Sequence, residues 1–316
     1  MKKIAVIGEV LVEIMADTLG EGFAEPQPLT GPFPSGAPAI FADQAARLGQ
    51  PVGILSAVGD DDFGRVNLER LARDGVDISA VHIDPDRPTG SAFVRYRPDG
   101  SRDFVFNIRH SACGHAASGP AADGLLGSAD HLHVMGSSLS GAGFIAINVE
   151  AARRMKARGG TVSFDPNLRK EMLSAPGMAD AMRRILEMCD LFLPSGAELT
   201  LLTGAKDDAG AIAELLRGGV TAVVHKNGAD GARHHDARGS VSVAAFPVEE
   251  VDPTGAGDCF GGAFTALWLR GTPPEEALAL AAAAGALAVT RRGPMEGVSD
   301  LATLERFVRV DGGTVS

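Results

Sequence analysis

The feature that most constrains this chain is a repeated alternation. Short apolar runs end in glycine or an acid, and each is followed by an Ala- or Leu-rich helical stretch. Ile4-Ala5-Val6-Ile7 stops at Gly8-Glu9. Val52–Val58 stops at Gly59-Asp60, Thr161–Phe164 delivers Asp165, and Ala222–Lys226 precedes Asn227-Gly228. Runs that are apolar throughout, without a polar face, belong to strands buried on both sides. Helical stretches are expected after Ala42 up to Leu48, over 145–158, over 179–188 and over 277–289. No repeat or low-complexity linker interrupts the order. The pattern predicts an α/β chain, doubly wound, with one mostly parallel sheet and helices on both faces. The 316 residues, 45% hydrophobic, are enough for one large domain spanning 1–316.

Residues 89–108 break the pattern. Gly90–Tyr96 and Phe104–Asn107 alternate in polarity around Pro98-Asp99-Gly100, a strong turn signal. Residues 18–35, rich in Gly, Pro and Glu, read as a loop or edge-strand excursion.

The net charge of −11 makes nucleic acid and anionic membranes poor partners. Cys113, Cys189 and Cys259 are scattered, which fits a reducing cytoplasm better than a disulfide framework or a zinc site. Met1-Lys2-Lys3 runs straight into a strand, so no signal peptide is expected, and no stretch is long enough to span a membrane. His131-x-His133 and Asp60-Asp61-Asp62 invite a metal reading. Strand-end histidines and a solvated turn explain them more simply.

The chemistry concentrates in Asp252-Pro253-Thr254-Gly255-Ala256-Gly257-Asp258-Cys259-Phe260-Gly261-Gly262. A strand-like run, Val241–Val248, precedes it, and an apolar helical run, Phe264–Leu269, follows. A Gly-rich turn at a helix start presents backbone N–H groups to an anion, aided by the helix dipole. An acid beside such a cradle repels phosphate, but it suits a base that takes a proton from a hydroxyl nucleophile. The plainer alternative is a left-handed turn with Asp258 as a helix cap.

This segment resembles the C-terminal signature of the ribokinase (PfkB) family of carbohydrate kinases. Three further blocks resemble that family in the same order: Pro34–Ala42, Val58–Gly64 and Asp165–Arg169. The resemblance implies a ribokinase-like fold with a small β-sheet lid, formed by about 10–35 and 87–112, over the sugar site. It implies an ATP-dependent sugar kinase using Mg2+. Asp258 is then the catalytic base, and the Gly255, Ala256 and Gly257 amides form the anion hole. Glu13, Gly36, Ala37, Arg109 and Arg169 face the sugar. Asn167, Ser195, Lys226, Gly228 and Gly231 serve the nucleotide. Glu198 is linked to Mg2+ through water, and Asp252 and Thr254 are the place for a monovalent cation such as K+. A homodimer through the lid is a further family expectation.

The chain departs from the family pattern at several points. Glu13 stands where the family has Asp, Ser35 where it has Gly, and Ile40 and Ser195 where it commonly has Asn. Asn107 and Ile108 stand where the 2-keto-3-deoxygluconate kinase branch often has tyrosines. Ser195 resembles the branch that handles 2-keto-3-deoxygluconate and ketohexoses, and the lid departures at Asn107 and Ile108, with the Gly293-Pro294-Met295-Glu296-Gly297 segment, point to a neutral ketohexose such as tagatose or fructose. The alternatives are 2-keto-3-deoxygluconate, with Arg109 gripping its carboxylate, and a non-catalytic sugar-binding regulator.

Overall fold

The computed structural model describes residues 1–116, 118–168 and 175–311. In chain order the elements are β1 (Ile4–Ile7), β2 (Leu11–Ala16), β3 (Leu29–Ser35), α1 (Ala37–Arg47), β4 (Val52–Gly59), α2 (Asp62–Arg73), β5 (Asp77–Asp84), β6 (Gly90–Tyr96) and β7 (Arg102–Asn107). There follow α3 (Pro120–Ser128), β8 (His131–Met135), α4 (Ala142–Ala157), β9 (Thr161–Asp165), α5 (Met178–Leu186), β10 (Leu191–Phe192), α6 (Glu198–Thr203) and α7 (Asp208–Arg217). The chain closes with β11 (Ala222–Lys226), β12 (Ala232–Asp236), β13 (Gly239–Val243), α8 (Ala256–Leu269), α9 (Pro274–Val289) and α10 (Leu301–Asp311).

A nine-stranded sheet has the order β13-β12-β11-β10-β9-β8-β1-β4-β5. From β11 to β5 every pairing is parallel, and only the β11-β12-β13 edge is antiparallel. The chain winds outward from β1 in both directions, so the order reverses between β1 and β8. Ligands in open α/β sheets bind at the carboxyl ends of the strands beside such a reversal. Alternate residues of β1 serve opposite faces. Ile4 and Val6 join a core with α1, α8, α9 and α10, while Ala5 and Ile7 join one with α3, α4, α5 and α7.

A separate four-stranded sheet has the order β3-β2-β6-β7. It takes in the last third of the stretch read as a loop or edge excursion, because Leu29–Ser35 pairs antiparallel with β2.

Two expected boundaries move. The strand expected over 241–248 is β13 and ends at Val243, which pairs with Ala232, the first residue of its partner strand β12. The helix expected from Phe264 begins at Ala256, so Gly261 and Gly262 lie inside it. Close packing explains a glycine in that helix: a Cβ at Gly262 would stand 2.5 Å from the Phe41 carbonyl oxygen on α1.

The metal-like motifs resolve as structure. His131 and His133 are fully buried and bond to the Thr161 and Ser163 hydroxyls at 2.7 Å. Burial, reinforced by Lys2 and Lys156, pushes the His131 imidazole down to about 3, so it is neutral. Asp61 caps α2 by accepting from the Gly64 N–H at 2.8 Å. Among the described residues no cluster of three or more His, Cys, Asp or Glu side chains could hold a metal ion. No described helix is long and apolar enough to cross a membrane.

Candidate active site

Gly255 caps α8 in the left-handed conformation, at φ 82°. A Cβ there would come within 2.5 Å of the Pro294 carbonyl oxygen, so both the turn and its neighbour require glycine. Ala256, Gly257 and Asp258 form the first turn of α8, and their N–H groups are not yet used by the helix. A Gly-rich turn invites the same reading for Gly257, but Gly257 is helical and absent from the positive-φ glycines. Among the described residues a Cβ on it would meet only the Lys226 ammonium, at 3.8 Å. Glycine at this position therefore keeps the space in front of Lys226 open.

Asp258 is buried and accepts a hydrogen bond from Asn167 Nδ2 at 3.0 Å. Asn167 adopts a positive φ of 40°, unusual for a residue other than glycine, directly after β9. Its N–H donates to Asp165 Oδ1 at 3.2 Å. Asp165 Oδ2 in turn accepts from Lys226 Nζ at the end of β11. Asp258, Asn167, Asp165 and Lys226 thus form a hydrogen-bonded chain beside the amino end of α8. Arg169 lies outside the described residues.

Glu198 starts α6 and closes the neighbouring loops. Oε1 accepts from the Leu168 N–H and Oε2 from the Ser195 N–H, both at 2.7 Å. Burial raises the affinity of this carboxyl for a proton, the nearby Asp165 charge raises it further, and Lys226 offsets part of the effect. Ser195 itself is exposed and pairs with Lys226 through a parallel bridge. Gly228 and Gly231 follow that strand end at φ 55° and 86°. A Cβ at Gly231 would fall 2.1 Å from the Val243 carbonyl oxygen.

Beneath the small sheet a cavity reaches Asp258. Its walls include Glu9, Glu13, Gly36, Ala37, Ser137 and Thr254, with Phe104 and Phe106 of β7 above. Glu9 is buried and accepts from the Ser137 and Ser138 hydroxyls at 2.8 and 2.7 Å. Ser35 Oγ donates to Glu13 Oε2 at 3.3 Å. No lysine, arginine or histidine lines this cavity among the described residues. Arg109 is exposed and lines an adjacent, outer cavity with Asp61, Thr89 and His110. Phe106 and Ile108 border both cavities.

Asp252 is buried and accepts from the Thr254 N–H at 3.0 Å, the Gly293 N–H at 2.9 Å and the Tyr96 hydroxyl. Sequence reasoning missed Tyr96, Glu9, Ser137 and Arg102, whose Nη1 lies 3.5 Å from Thr254 Oγ1. Two signals were available: Glu9 stands one glycine beyond an apolar strand, and Tyr96 is the chain's single tyrosine.

A buried acid facing a hydroxyl-lined cavity, set against a helix-borne anion cradle, is the arrangement of a phosphotransferase acting on an alcohol. The model of the pfkB family carbohydrate kinases matches residues 1–301, and the chain belongs to that family. A fructokinase of Klebsiella pneumoniae is 35% identical, over 93% of this chain and 95% of that one. A 2-dehydro-3-deoxygluconokinase of Thermoproteus tenax is 33% identical, over 98% and 95%. The crystal structure of an E. coli protein provisionally named ribokinase II, in complex with ATP and Mg2+, superposes with a TM-score of 0.92. It is 49% identical, over 98% of this chain and 99% of that one.

Proposed function

We propose that this kinase moves the γ-phosphate of ATP to a primary hydroxyl of a neutral ketohexose such as tagatose or fructose. The observation that carries the reading is the cavity beside Asp258. Its polar groups include Glu9, Glu13 and Asp258, and no cationic side chain lines it among the described residues. Carboxylates accept hydrogen bonds from sugar hydroxyls, whereas an acidic sugar placed there would meet like charge. Arg109, the partner expected for such a carboxylate, faces the outer cavity.

In this reading Asp258, held by Asn167, takes the proton of the attacking hydroxyl. The Gly255, Ala256 and Gly257 N–H groups at the start of α8 stabilise the charge of the phosphoryl group in flight, and Lys226 adds its positive charge beside Gly257. Mg2+, when bound, neutralises charge on the phosphates. Both Glu198 oxygens already accept backbone amides, which supports contact with the ion through water. Asp252 and Thr254 are the proposed holders of a monovalent cation, with the carboxylate shared among its present donors. We further assign residues 1–316 to one kinase domain, with the small sheet as a lid over the sugar. The exposed Val105 and Leu29 of that sheet support its outer side as a homodimer surface.

One observation favours a second reading, 2-keto-3-deoxygluconate: the Thermoproteus tenax relative is 33% identical over 98% of this chain. The test measures kcat/KM with ATP for tagatose, fructose and 2-keto-3-deoxygluconate, in wild type and Arg109→Ala. The expected result is preference for a neutral sugar, with a change of about tenfold or less in the variant, the scale of one neutral hydrogen bond. Strong preference for the acid, coupled with a large Arg109→Ala penalty on it alone, overturns the ketohexose assignment. Absence of turnover with every sugar favours a sugar-binding regulator.

A further inference from the structure

The β6–β7 hairpin does two things at once. Ala92, Phe104 and Phe106 form the ceiling of the cavity beside Asp258. From the same hairpin Tyr96 reaches across to the turn that carries the anion cradle, and its hydroxyl meets Asp252 Oδ1 and, at 2.8 Å, Thr254 Oγ1. The proton positions follow from chemistry. An ionised carboxylate only accepts, so the Tyr96 O–H donates to Asp252, and the Thr254 O–H donates to the Tyr96 oxygen. Arg102, also on the hairpin, donates to Thr254 Oγ1 at 3.5 Å. The donors line up in one direction, from Arg102 through Thr254 and Tyr96 to Asp252.

We infer that Tyr96 is a positioning residue for phosphoryl transfer: from the hairpin that roofs the sugar cavity it fixes the Asp252–Gly255 turn, and with it the anion cradle. The inference rests on the kinase reading and deepens it, because it links the roof of the sugar cavity to the group that stabilises the transferring phosphate. Thr254 directly precedes Gly255, whose φ of 82° sets the direction of the first free amides of α8. A small rotation of this turn would misaim those donors without altering either substrate's own contacts. The geometry therefore predicts an effect on kcat and not on KM.

The hairpin is not the only tie between the small sheet and this region. Asp17, just past β2, pairs with Arg292 at 2.5 Å on the surface. That pair joins the same two parts of the molecule but does not touch the turn, so it serves as the control.

The experiment compares wild type, Tyr96→Phe and Asp17→Asn. It measures kcat, KM for sugar and ATP, and the affinities for ADP and for ADP with aluminium fluoride, a mimic of the phosphoryl group in flight. Losing a hydrogen bond to a charged group should lower kcat of Tyr96→Phe by about 10-fold or more. Both KM values and the ADP affinity should stay within about threefold, while the affinity for ADP–aluminium fluoride falls by the same factor as kcat. Asp17→Asn should leave all of these within about threefold. Retention of kcat by Tyr96→Phe overturns the inference. So does an equal loss of ADP and ADP–aluminium fluoride affinity, or an Asp17→Asn defect of the same size, because each marks general loosening. The fluoride measurement reads the inference even where the assigned sugar is wrong; failure of the sugar panel in wild type bears on the substrate reading instead.

Discussion

Replacing Lys226 by methionine tests the electrostatic centre of the site. Lys226 and Asp165 are 8% and 1% exposed and pair directly, so neither charge has much water to fall back on. Glu198 stands close enough for the Asp165 charge to act on it. Without the ammonium, Asp165 is left as a buried carboxylate without its partner. Breaking a buried pair by removing one member costs about 3–5 kcal/mol, so Lys226→Met should lose stability on that scale. A second change, Asp165→Asn, removes the stranded charge and should restore most of the stability at pH 7 without restoring turnover. Urea unfolding of both variants at pH 7, alongside a kinase assay, reads these outcomes. A loss below about 1 kcal/mol at pH 7, or a double variant no more stable than the single one, refutes the reasoning.

Three further outcomes are expected. Asp258→Asn should keep the fold and bind ATP but lose about 10²–10⁴-fold in kcat, and near-normal turnover in a steady-state assay would remove Asp258 as the base. Gly255→Ala should destabilise the protein by at least about 1–2 kcal/mol from the left-handed backbone alone, with the Pro294 contact adding to that. Gly257→Ala should leave the thermal midpoint nearly unchanged and lower turnover; equal effects at the two positions would contradict the assigned backbone. Burial pushes the Asp43 carboxyl up to about 8, with Arg70 only partly offsetting it. The folded state therefore holds a proton that the unfolded chain releases near pH 4, so stability should fall as pH rises from about 4 to 8. Asp43→Asn should flatten that slope, and an unchanged thermal-midpoint profile between pH 5 and 8 would exclude Asp43 as its source.

The parts of the fold that were legible in the sequence are those whose burial is uniform. Ile4–Ile7 and Ala222–Lys226 are apolar throughout or nearly so because helices cover both faces, and their limits match the structure. Edge elements carry no such mark. In β5 only Ala80 and Asp84 are buried, and the polar Ala232–Asp236 strand belongs to the antiparallel edge hairpin, so neither run stands out from a loop. The same distinction governs the site. Gly255 to Asp258 are contiguous, and their chemistry can be reasoned from spacing alone. Tyr96 and Asp252 lie 156 residues apart, and Lys226 and Asp165 lie 61 apart. Their meeting depends on strand order: β9 and β11 are brought near by β10 between them, and Tyr96 is placed by the parallel pairing of β6 with β2. Nothing local in Gly90–Tyr96 distinguishes a parallel partner from an antiparallel one. Sequence reasoning could therefore identify the acid and its cradle, while the contacts that hold them in register followed only from the assembled sheets. The same logic explains Arg109. Its place directly after a strand was legible, but whether it met the inner or the outer cavity depended on how the β7 end passes between Phe106 and Ile108, which border both.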